Sequence, residues 1–217
     1  MAIKYLIGID EAGRGPLAGP VAVGAVIMPL DTSCPIMFAG LEVRDSKKLS
    51  ARQRGMVFSR MRELKKITQL DFAVALVNNE VIDSEGITAA IRQGISNCLQ
   101  TLIKNARTSD AGLGGFDPLR CRVLLDGGLR APAEFPHQQT IIRGDESEAI
   151  ISLASIAAKV TRDNFMIELH QRYPQYHFDQ HKGYGTAVHY LALAKHGLSV
   201  IHRRSFLRSL GGNPDTE

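Results

Sequence analysis

The chain opens with two short apolar segments separated by a loop that is rich in glycine and proline. Residues 4–10 read KYLIGID, and residues 20–28 read PVAVGAVIM. Apolar runs of this length, rich in β-branched and small residues, predict buried strands. Because Pro20 and the residues after it favour strand over helix, we expect the two runs to pair as a hairpin. The fold is therefore expected to contain a sheet that starts near residue 4.

The rest of the chain alternates between helical and strand-like patterns. Apolar residues recur near every 3.6 positions in residues 87–103, which predicts an amphipathic helix. Further helices are predicted at residues 49–66 (with Ser50 as N-cap), 147–172 and 186–196. Strands are predicted at residues 72–77, 122–126 and 139–142, a loop at 107–118 and a short last element at 205–210. This order indicates an α/β fold, a mixed β-sheet flanked by helices with a helical C-terminal extension.

The length of 217 residues is enough to bury one full hydrophobic core. We find no internal repeat or linker, so we expect one domain over residues 1–210 and a disordered tail at 211–217. No apolar run reaches the roughly 18 to 20 residues that span a bilayer, and the N-terminus does not resemble a signal peptide. Three widely spaced cysteines, Cys34, Cys98 and Cys121, fit a reducing compartment. We therefore expect a cytoplasmic protein without a membrane partner.

The charge of the chain is concentrated in two basic segments. The net charge is +4, but residues 44–66 carry nine Lys and Arg against two acids, and residues 180–214 carry five against none. An acidic remainder beside two basic segments indicates a polyanion-binding face around a site that gathers carboxylates. The alternative is that the basic side chains are only solvated surface residues.

An acidic pair, Asp10 and Glu11, ends the first predicted strand in the sequence GIDEAGRGPLAGP. Side chains alternate between the faces of a strand, so both carboxylates can share one site only if the chain turns at Glu11. A dinucleotide-binding loop is a competing interpretation, because Gly13 and Gly15 also follow a strand. Such a loop would have to open a helix, which the strand-like residues after it oppose.

Two more carboxylates end predicted strands, Asp126 in LLDGG and Asp145 in RGDESE. Functional groups collect at strand ends in α/β sheets, and oxygen ligands without histidine or cysteine suit Mg²⁺ or Mn²⁺. Asp145 has an alternative role, because Glu148 lies three residues later and the two could form a capping box.

Two segments combine cations with residues that contact phosphates or rings. Ser46, Lys47 and Lys48 precede the first predicted helix, where hydroxyls, lysines and a helix N-terminus can hold a phosphate, or simply cap the helix. In HKGYGT, Tyr184 can stack on a sugar or base while cations such as Lys182 and those of HRRSF at 202–206 hold phosphates. His181 and His202 are candidates for a proton relay. A polar stripe follows the long helix: Ser152, Ser155, Lys159, Arg162 and Asp163.

Taken together, six segments resemble the type 2 ribonucleases H, and within them bacterial ribonuclease HII. These segments are GIDEAGRGPLAGPV at 8–21, DSKKLS at 45–50, LLDGG at 124–128, ASIAAKVTRD at 154–163, HKGYGT at 181–186 and HRRSF at 202–206. They occur in the family's order. The resemblance therefore extends over nearly the whole chain.

The resemblance implies a ribonuclease H-like fold and an endonuclease that cuts the RNA strand of RNA/DNA hybrids. It also implies incision of duplex DNA 5′ to a single ribonucleotide, leaving 5′-phosphate and 3′-hydroxyl ends. The residues that match the family's metal-binding carboxylates are Asp10, Glu11, Asp126 and Asp145, which would hold two divalent ions. The residues that match its ribose-recognising loop are Gly13, Arg14 and Gly15, and Tyr184 matches its junction tyrosine.

The chain departs from many relatives after Asp145, where it has Glu146, Ser147 and Glu148 rather than a nearby basic residue. Alternatives to the implied function are a ribonuclease HIII-like hybrid nuclease without junction specificity and a non-enzymatic nucleic-acid-binding module. Ribonuclease HIII carries an extra N-terminal domain, for which an acidic pair at position 10 leaves no room. We expect a monomer whose partners are RNA/DNA hybrids and ribonucleotide-containing DNA.

Overall fold

A computed structural model describes residues 2–32, 38, 43, 46–108 and 116–207. Its centre is a five-stranded sheet with the order β3-β2-β1-β4-β5. The strands are β1 Tyr5–Ala12, β2 Val21–Pro29, β3 Asp71–Val77, β4 Cys121–Asp126 and β5 Gln138–Ile141. β1 is antiparallel to β2 and parallel to β4. The predicted mixed sheet and its N-terminal hairpin are confirmed.

Helices flank the sheet. They are α1 Ala51–Lys66, α2 Asn79–Glu85, α3 Ile87–Thr108, α4 Gly144–Ser147, α5 Ala149–Arg172, α6 Phe178–His181 and α7 Ala187–His196. Ser50 caps α1 through a reciprocal capping box with Gln53, as its position predicts. Short 3₁₀ turns lie at Pro118–Arg120, Pro174–Tyr176 and Arg204–Phe206. The predicted helical C-terminal extension is confirmed.

The main differences from the sequence prediction concern short elements. The helices α2, α4 and α6 are four to seven residues long, too short to show a helical period. The predicted loop at 107–118 is wrong at its start, because α3 continues to Thr108. Part of that loop, most of the last predicted element and the tail at 211–217 lie outside the described residues.

The loop after Gly15 leads directly into β2, with no helix between them. A dinucleotide-binding loop must present a helix N-terminus to the pyrophosphate, so that interpretation is excluded. No helix in the described ranges is both long and apolar enough to cross a membrane. Cys98 and Cys121 are buried free thiols, and Cys34 is not among the described residues.

The core lies on both faces of the sheet. α3 covers one face, α5 and α1 cover the other, and the C-terminal elements pack around the last half of α5. α5 lies very close to the central hairpin, because Gly8 and Gly24 face its backbone. A Cβ atom at Gly24 would stand 2.2 Å from the carbonyl oxygen of Ala154. These two glycines therefore set the distance between the sheet and α5.

Gly24→Ala should destabilise the protein by about 2 to 3 kcal/mol, because the added methyl meets backbone rather than a movable side chain. Gly55→Ala is the matched control. Gly55 lies inside α1 with open space around its Cβ position, so alanine there should stabilise by about 0.5 to 1 kcal/mol. Urea unfolding of both variants measures the difference. Equal effects would mean that α5 can move away from the sheet at little cost.

Candidate active site

Three of the predicted carboxylates lie at one edge of the sheet. Ile9 pairs with Leu125 in the parallel register of β1 and β4, so Asp10 and Asp126 follow at the same edge. Asp126 also interacts electrostatically with both Asp10 and Glu11. The expected turn at Glu11 is wrong: β1 continues through Ala12, and the chain turns at Gly13, whose φ is +85°. The two acids occupy one edge as successive residues of an unbroken strand.

The fourth carboxylate, Asp145, is fully buried in α4. Its Oδ2 accepts a hydrogen bond from Ser46 Oγ at 3.4 Å and forms an ion pair with Lys47 Nζ at 3.1 Å. The N-cap residues of α4 and α5 are Arg143 and Glu148, and neither makes a side-chain cap hydrogen bond. Asp145 therefore does not form the capping box that its spacing to Glu148 suggested.

The electrostatics of this edge are dominated by buried negative charge. Burial raises the pKa of Asp10 to about 8, against a hydrogen bond from Ser155 and with help from the neighbouring charges of Glu11 and Asp126. Burial lowers the pKa of Lys47, but the charges of Asp145, Asp10 and Asp126 outweigh it and raise that pKa overall. Lys47 therefore faces three of the four carboxylates.

The donor set fits divalent cations. Four carboxylates lie near two cationic side chains, Lys47 and Arg14, the latter paired with Glu11 at 3.2 Å. An excess of oxygen ligands with negative charge is the environment that hard cations require. Within the described part of the chain, however, no three Asp, Glu, His or Cys side chains are placed so that they could together hold a metal ion. One oxygen of Asp126 accepts instead from the Gly144 amide at 2.7 Å.

A cleft of about 460 Å³ opens beside the carboxylates. Six predicted site residues line it: Glu11, Gly13, Arg14, Ser46, Lys47 and Tyr184. Glu11 is the one predicted carboxylate that lines it; the predicted site residues outside its lining are Asp10, Gly15, Lys48, Asp126, Asp145 and Lys182. The Lys182 ammonium donates to the carbonyl of Asp179.

Four further lining residues were not among the predicted site residues: Ala12, Arg54, Ser155 and Lys159. Ser155 and Lys159 belong to the polar stripe on the long helix, which was a usable signal, and Lys159 also forms the i,i+4 pair with Asp163 at 2.9 Å. Ser155 Oγ lies 2.9 Å from Ser46 Oγ and also bonds Asp10. It thereby joins α5, the turn before α1 and β1.

Two fully buried arginines support the loop between β1 and β2. Arg162 donates to the carbonyls of Pro20 at 2.8 Å, Ala18 at 3.2 Å and Lys182 at 3.0 Å. It thus connects this loop to the one that carries Tyr184. Burial is also the main reason that the pKa of Arg203 falls to about 9, with the Arg162 charge adding to it.

Arg203 donates to the carbonyls of Gly13 at 2.7 Å, Arg14 at 2.9 Å and Gly19 at 2.9 Å. It therefore cannot serve as a phosphate-holding surface cation, and that expectation for HRRSF is wrong at this residue. The carbonyl oxygens of Gly13 and Arg14 therefore already accept hydrogen bonds from Arg203. The amides of Arg14 and Gly15 have no acceptor among the described residues.

Buried histidines fix the backbone around Tyr184. His189 bonds the Tyr184 carbonyl through Nδ1 at 3.0 Å and His202 through Nε2 at 3.1 Å, and His181 Nδ1 accepts from the Gly183 amide at 3.2 Å. Burial, with the neighbouring His189, lowers the pKa of His202 to about 4. Both ring nitrogens of His181 and of His202 are engaged in hydrogen bonds with neighbouring protein groups, so the proton-relay hypothesis is not supported.

The Tyr184 ring itself is 41% exposed. Lys159 Nζ lies 5.7 Å and Arg162 Cζ 5.9 Å from the ring centroid, within the range of cation–π attraction. The ring therefore stands at the cleft on a backbone that buried groups hold in place.

Arg203→Met should lower the free energy of unfolding by about 3 kcal/mol, because three buried carbonyls lose their donor at about 1 kcal/mol or more each. Arg204→Met is the matched control, since the neighbouring side chain is exposed and should cost less than about 0.5 kcal/mol. Urea denaturation gives both values. Similar losses in the two variants would show that the loop does not depend on the buried guanidinium.

Carboxylates at the ends of adjacent strands, beside a cleft with cations and an exposed aromatic ring, define a metal-dependent nuclease of the ribonuclease H-like class. The family model for ribonuclease HII matches residues 7–209. The chain is 43% identical to ribonuclease HII of Endomicrobium trichonymphae over 199 residues, 92% of this chain and 83% of that protein. It is 41% identical to ribonuclease HII of Halalkalibacterium halodurans, over 94% of this chain and 67% of that protein. The chain belongs to the ribonuclease HII family, whose members are ribonuclease H endonucleases that depend on a divalent metal.

Solved structures have the same fold. The PCNA:RNase HII complex from Archaeoglobus fulgidus contains a chain with a TM-score of 0.65 and 21% identity, matching 98% of this chain and 97% of that one. Bst-RNase HIII in complex with Mn²⁺ has a TM-score of 0.54 and 17% identity, matching 89% of this chain and 70% of that one. These likenesses concern the fold.

Proposed function

We propose that this ribonuclease H cleaves the RNA strand of RNA/DNA hybrids and incises duplex DNA on the 5′ side of a single embedded ribonucleotide. The products carry 5′-phosphate and 3′-hydroxyl ends. The observation that carries the proposal is the cleft, which brings Glu11 of the carboxylate edge together with Gly13 and Arg14 of the following loop and with Tyr184. A ribose could contact both a ring and backbone amides there while its phosphate lies beside the acids.

Asp10, Glu11, Asp126 and Asp145 are the residues that would hold the metal, as two Mg²⁺ or Mn²⁺ ions. Bound divalent ions supply a nucleophilic water and stabilise the leaving oxyanion. Burial raises the pKa of Asp10, and the neighbouring carboxylates Glu11 and Asp126 add to this rise. A bound divalent ion would stabilise the charged form of these grouped carboxylates, which is consistent with the assignment. Oxygen-only donors favour these ions over zinc.

The other cleft residues would position the substrate. The Arg14 and Gly15 amides are free to bond the ribose 2′-hydroxyl, the group that distinguishes RNA from DNA. Lys47, with Ser46 and Lys48 in the same turn, would contact the phosphate backbone, and Lys182 would contact it farther along. Lys159 and Arg54 add positive charge to the cleft.

We further propose that residues 1–210 act as one catalytic unit and that the protein functions as a monomer. The cleft draws its lining from β1, the turn before α1, α1, α5 and the loop before α7. These elements are far apart in the sequence and meet at one cleft, which supports one catalytic unit.

Asp10→Asn should slow cleavage of a single-ribonucleotide duplex by about 100-fold or more in the presence of Mg²⁺. Binding of an RNA/DNA hybrid should be unchanged or tighter, because a charge that repels phosphate is removed. Gel-based cleavage and fluorescence-anisotropy binding give the two readouts. Near-normal turnover would remove Asp10 from the metal site.

Asp145→Asn and Glu146→Gln form a matched pair on α4. Asp145 is fully buried against Ser46 and Lys47, whereas the side chain of Glu146 is 40% exposed. Asp145→Asn should lose about 100-fold or more in rate with little change in melting temperature, because asparagine keeps the size of the side chain. Glu146→Gln should remain active. If Asp145→Asn were as active as Glu146→Gln, three carboxylates would be the full ligand set.

Tyr184→Ala should lose on the order of 1 to 3 kcal/mol of ring stacking. The loss should be larger on a single-ribonucleotide duplex, where one 2′-hydroxyl marks the cut, than on a uniform hybrid with many registers. Tyr184→Phe keeps the ring and serves as the control. Comparing kcat/KM on both substrates decides the matter: an equal loss on the two would indicate a hybrid nuclease without junction recognition by Tyr184.

A further inference from the structure

A second pocket, of about 250 Å³, lies next to the cleft and shares Arg14 with it. We call it the arginine pocket. Its lining consists of Arg14, Thr88, Ile91, Arg92, Ile95, Gly128, Leu129 and Arg130. Three guanidinium groups and one hydroxyl surround an apolar floor, and no acidic side chain is among the lining residues. Arg14 is paired with Glu11, so the positive charge of the pocket comes mainly from Arg92 and Arg130.

Three separate elements bring the arginines together. Arg92 and Thr88 lie one turn apart near the start of α3, so both project from the same side of that helix. Arg130 follows the end of β4, four residues after Asp126. Arg14 comes from the loop after β1. The pocket thus borders the same strand ends that carry the carboxylates.

Arg92 and Arg130 lack a counter-charge. Both are exposed, and within the described ranges neither forms a hydrogen bond or an ion pair with an acidic side chain. Like charges around one small pocket repel each other, and the positive end of α3 adds to the same field. A bound anion would relieve this repulsion, and the planar guanidinium fork matches the oxygens of a phosphate in particular.

We propose that the arginine pocket binds one backbone phosphate of the nucleic acid, at a position beside the scissile phosphate. The inference rests on the proposed function, since it treats the bound anion as part of the same substrate. Contiguity supports a polymer over a free anion: Arg14 borders both cavities, and Gly128 lies two residues after Asp126. A strand that enters the cleft would pass Arg14 into this pocket.

The test compares two double variants of equal charge. The pocket variant, Arg92→Gln with Arg130→Gln, removes two positively charged side chains from the pocket lining. The control variant, Arg122→Gln with Arg172→Gln, removes two exposed positively charged side chains outside the pocket. Hybrid binding is measured without divalent metal over a range of salt concentrations. We expect the pocket variant to bind about tenfold more weakly and to lose about 1 unit of the log–log salt slope. We expect the control variant to retain the slope.

A methylphosphonate scan locates the contact. Duplexes with one ribonucleotide carry a single neutral methylphosphonate at successive positions near the cut. In the unmodified protein, one position outside the scissile phosphate should weaken binding, and the pocket variant should be insensitive at that position alone. Equal salt slopes for the two double variants, or the same scan pattern in the pocket variant and the unmodified protein, would overturn the proposal.

Two more measurements separate the remaining outcomes. Competition by inorganic phosphate, without any shared methylphosphonate position, would indicate a site for a free anion and also overturn the proposal. Failure of the unmodified protein to cleave the single-ribonucleotide duplex would refute the proposed function itself, whereas failure of the scan alone would refute only the pocket.

Discussion

The carbonyl groups of the loop between β1 and β2 are held by two guanidinium groups that water does not reach. Arg162 and Arg203 donate to six carbonyls, five of them in this loop or at its ends, and neither forms an ion pair with a carboxylate of the described residues. Buried cations are usually paired with acids, and here backbone dipoles replace the acid. The loop at residues 13–15 owes its shape to this arrangement, since without it the buried carbonyls would lack donors.

The two sides of the cleft carry opposite charge. Burial raises the pKa of Asp10, and the charges of Glu11 and Asp126 add to it. The loop on the other side lies over two guanidinium groups, Arg162 and Arg203, whose pKa values burial lowers. A phosphodiester near a divalent metal needs such a division, because the metal requires negative ligands and the phosphate requires positive surroundings. Because the two kinds of charge lie on opposite sides of the cleft, one small site can meet the requirements of both the metal and the phosphate.

The sequence predicted most of the sheet and the position of the acids, because these depend on local patterns. Runs of apolar residues mark strands, and carboxylates at their ends meet when the strands are neighbours. The capping box at Asp145 and the turn at Glu11 were wrong for a shared reason. Each rested on spacing alone, whereas long-range contacts with Ser46, Lys47 and Asp126 decide where these side chains lie.

The buried arginines could not be predicted from spacing, because five of their six carbonyl partners lie more than 140 residues away and carbonyls carry no sequence signal. In the sequence Arg203 is indistinguishable from Arg204, yet one is fully buried and the other is exposed. The short helices α2, α4 and α6 were not predicted for a different reason: four to seven residues complete too few turns to show a helical period of apolar residues.

The close contact of α5 with Gly8 and Gly24 also fixes how far apart the two ends of the cleft lie. Ser155 bonds Asp10 at one end of the cleft, and Arg162 stands beside Tyr184 at the other. Both belong to one rigid helix seven residues apart, which corresponds to about 10 Å along its axis. Insertions or deletions in the loops do not change the distance between Ser155 and Arg162 along this helix. The rise of α5 therefore fixes the distance between the carboxylates and the Tyr184 ring, and the substrate must fit that distance.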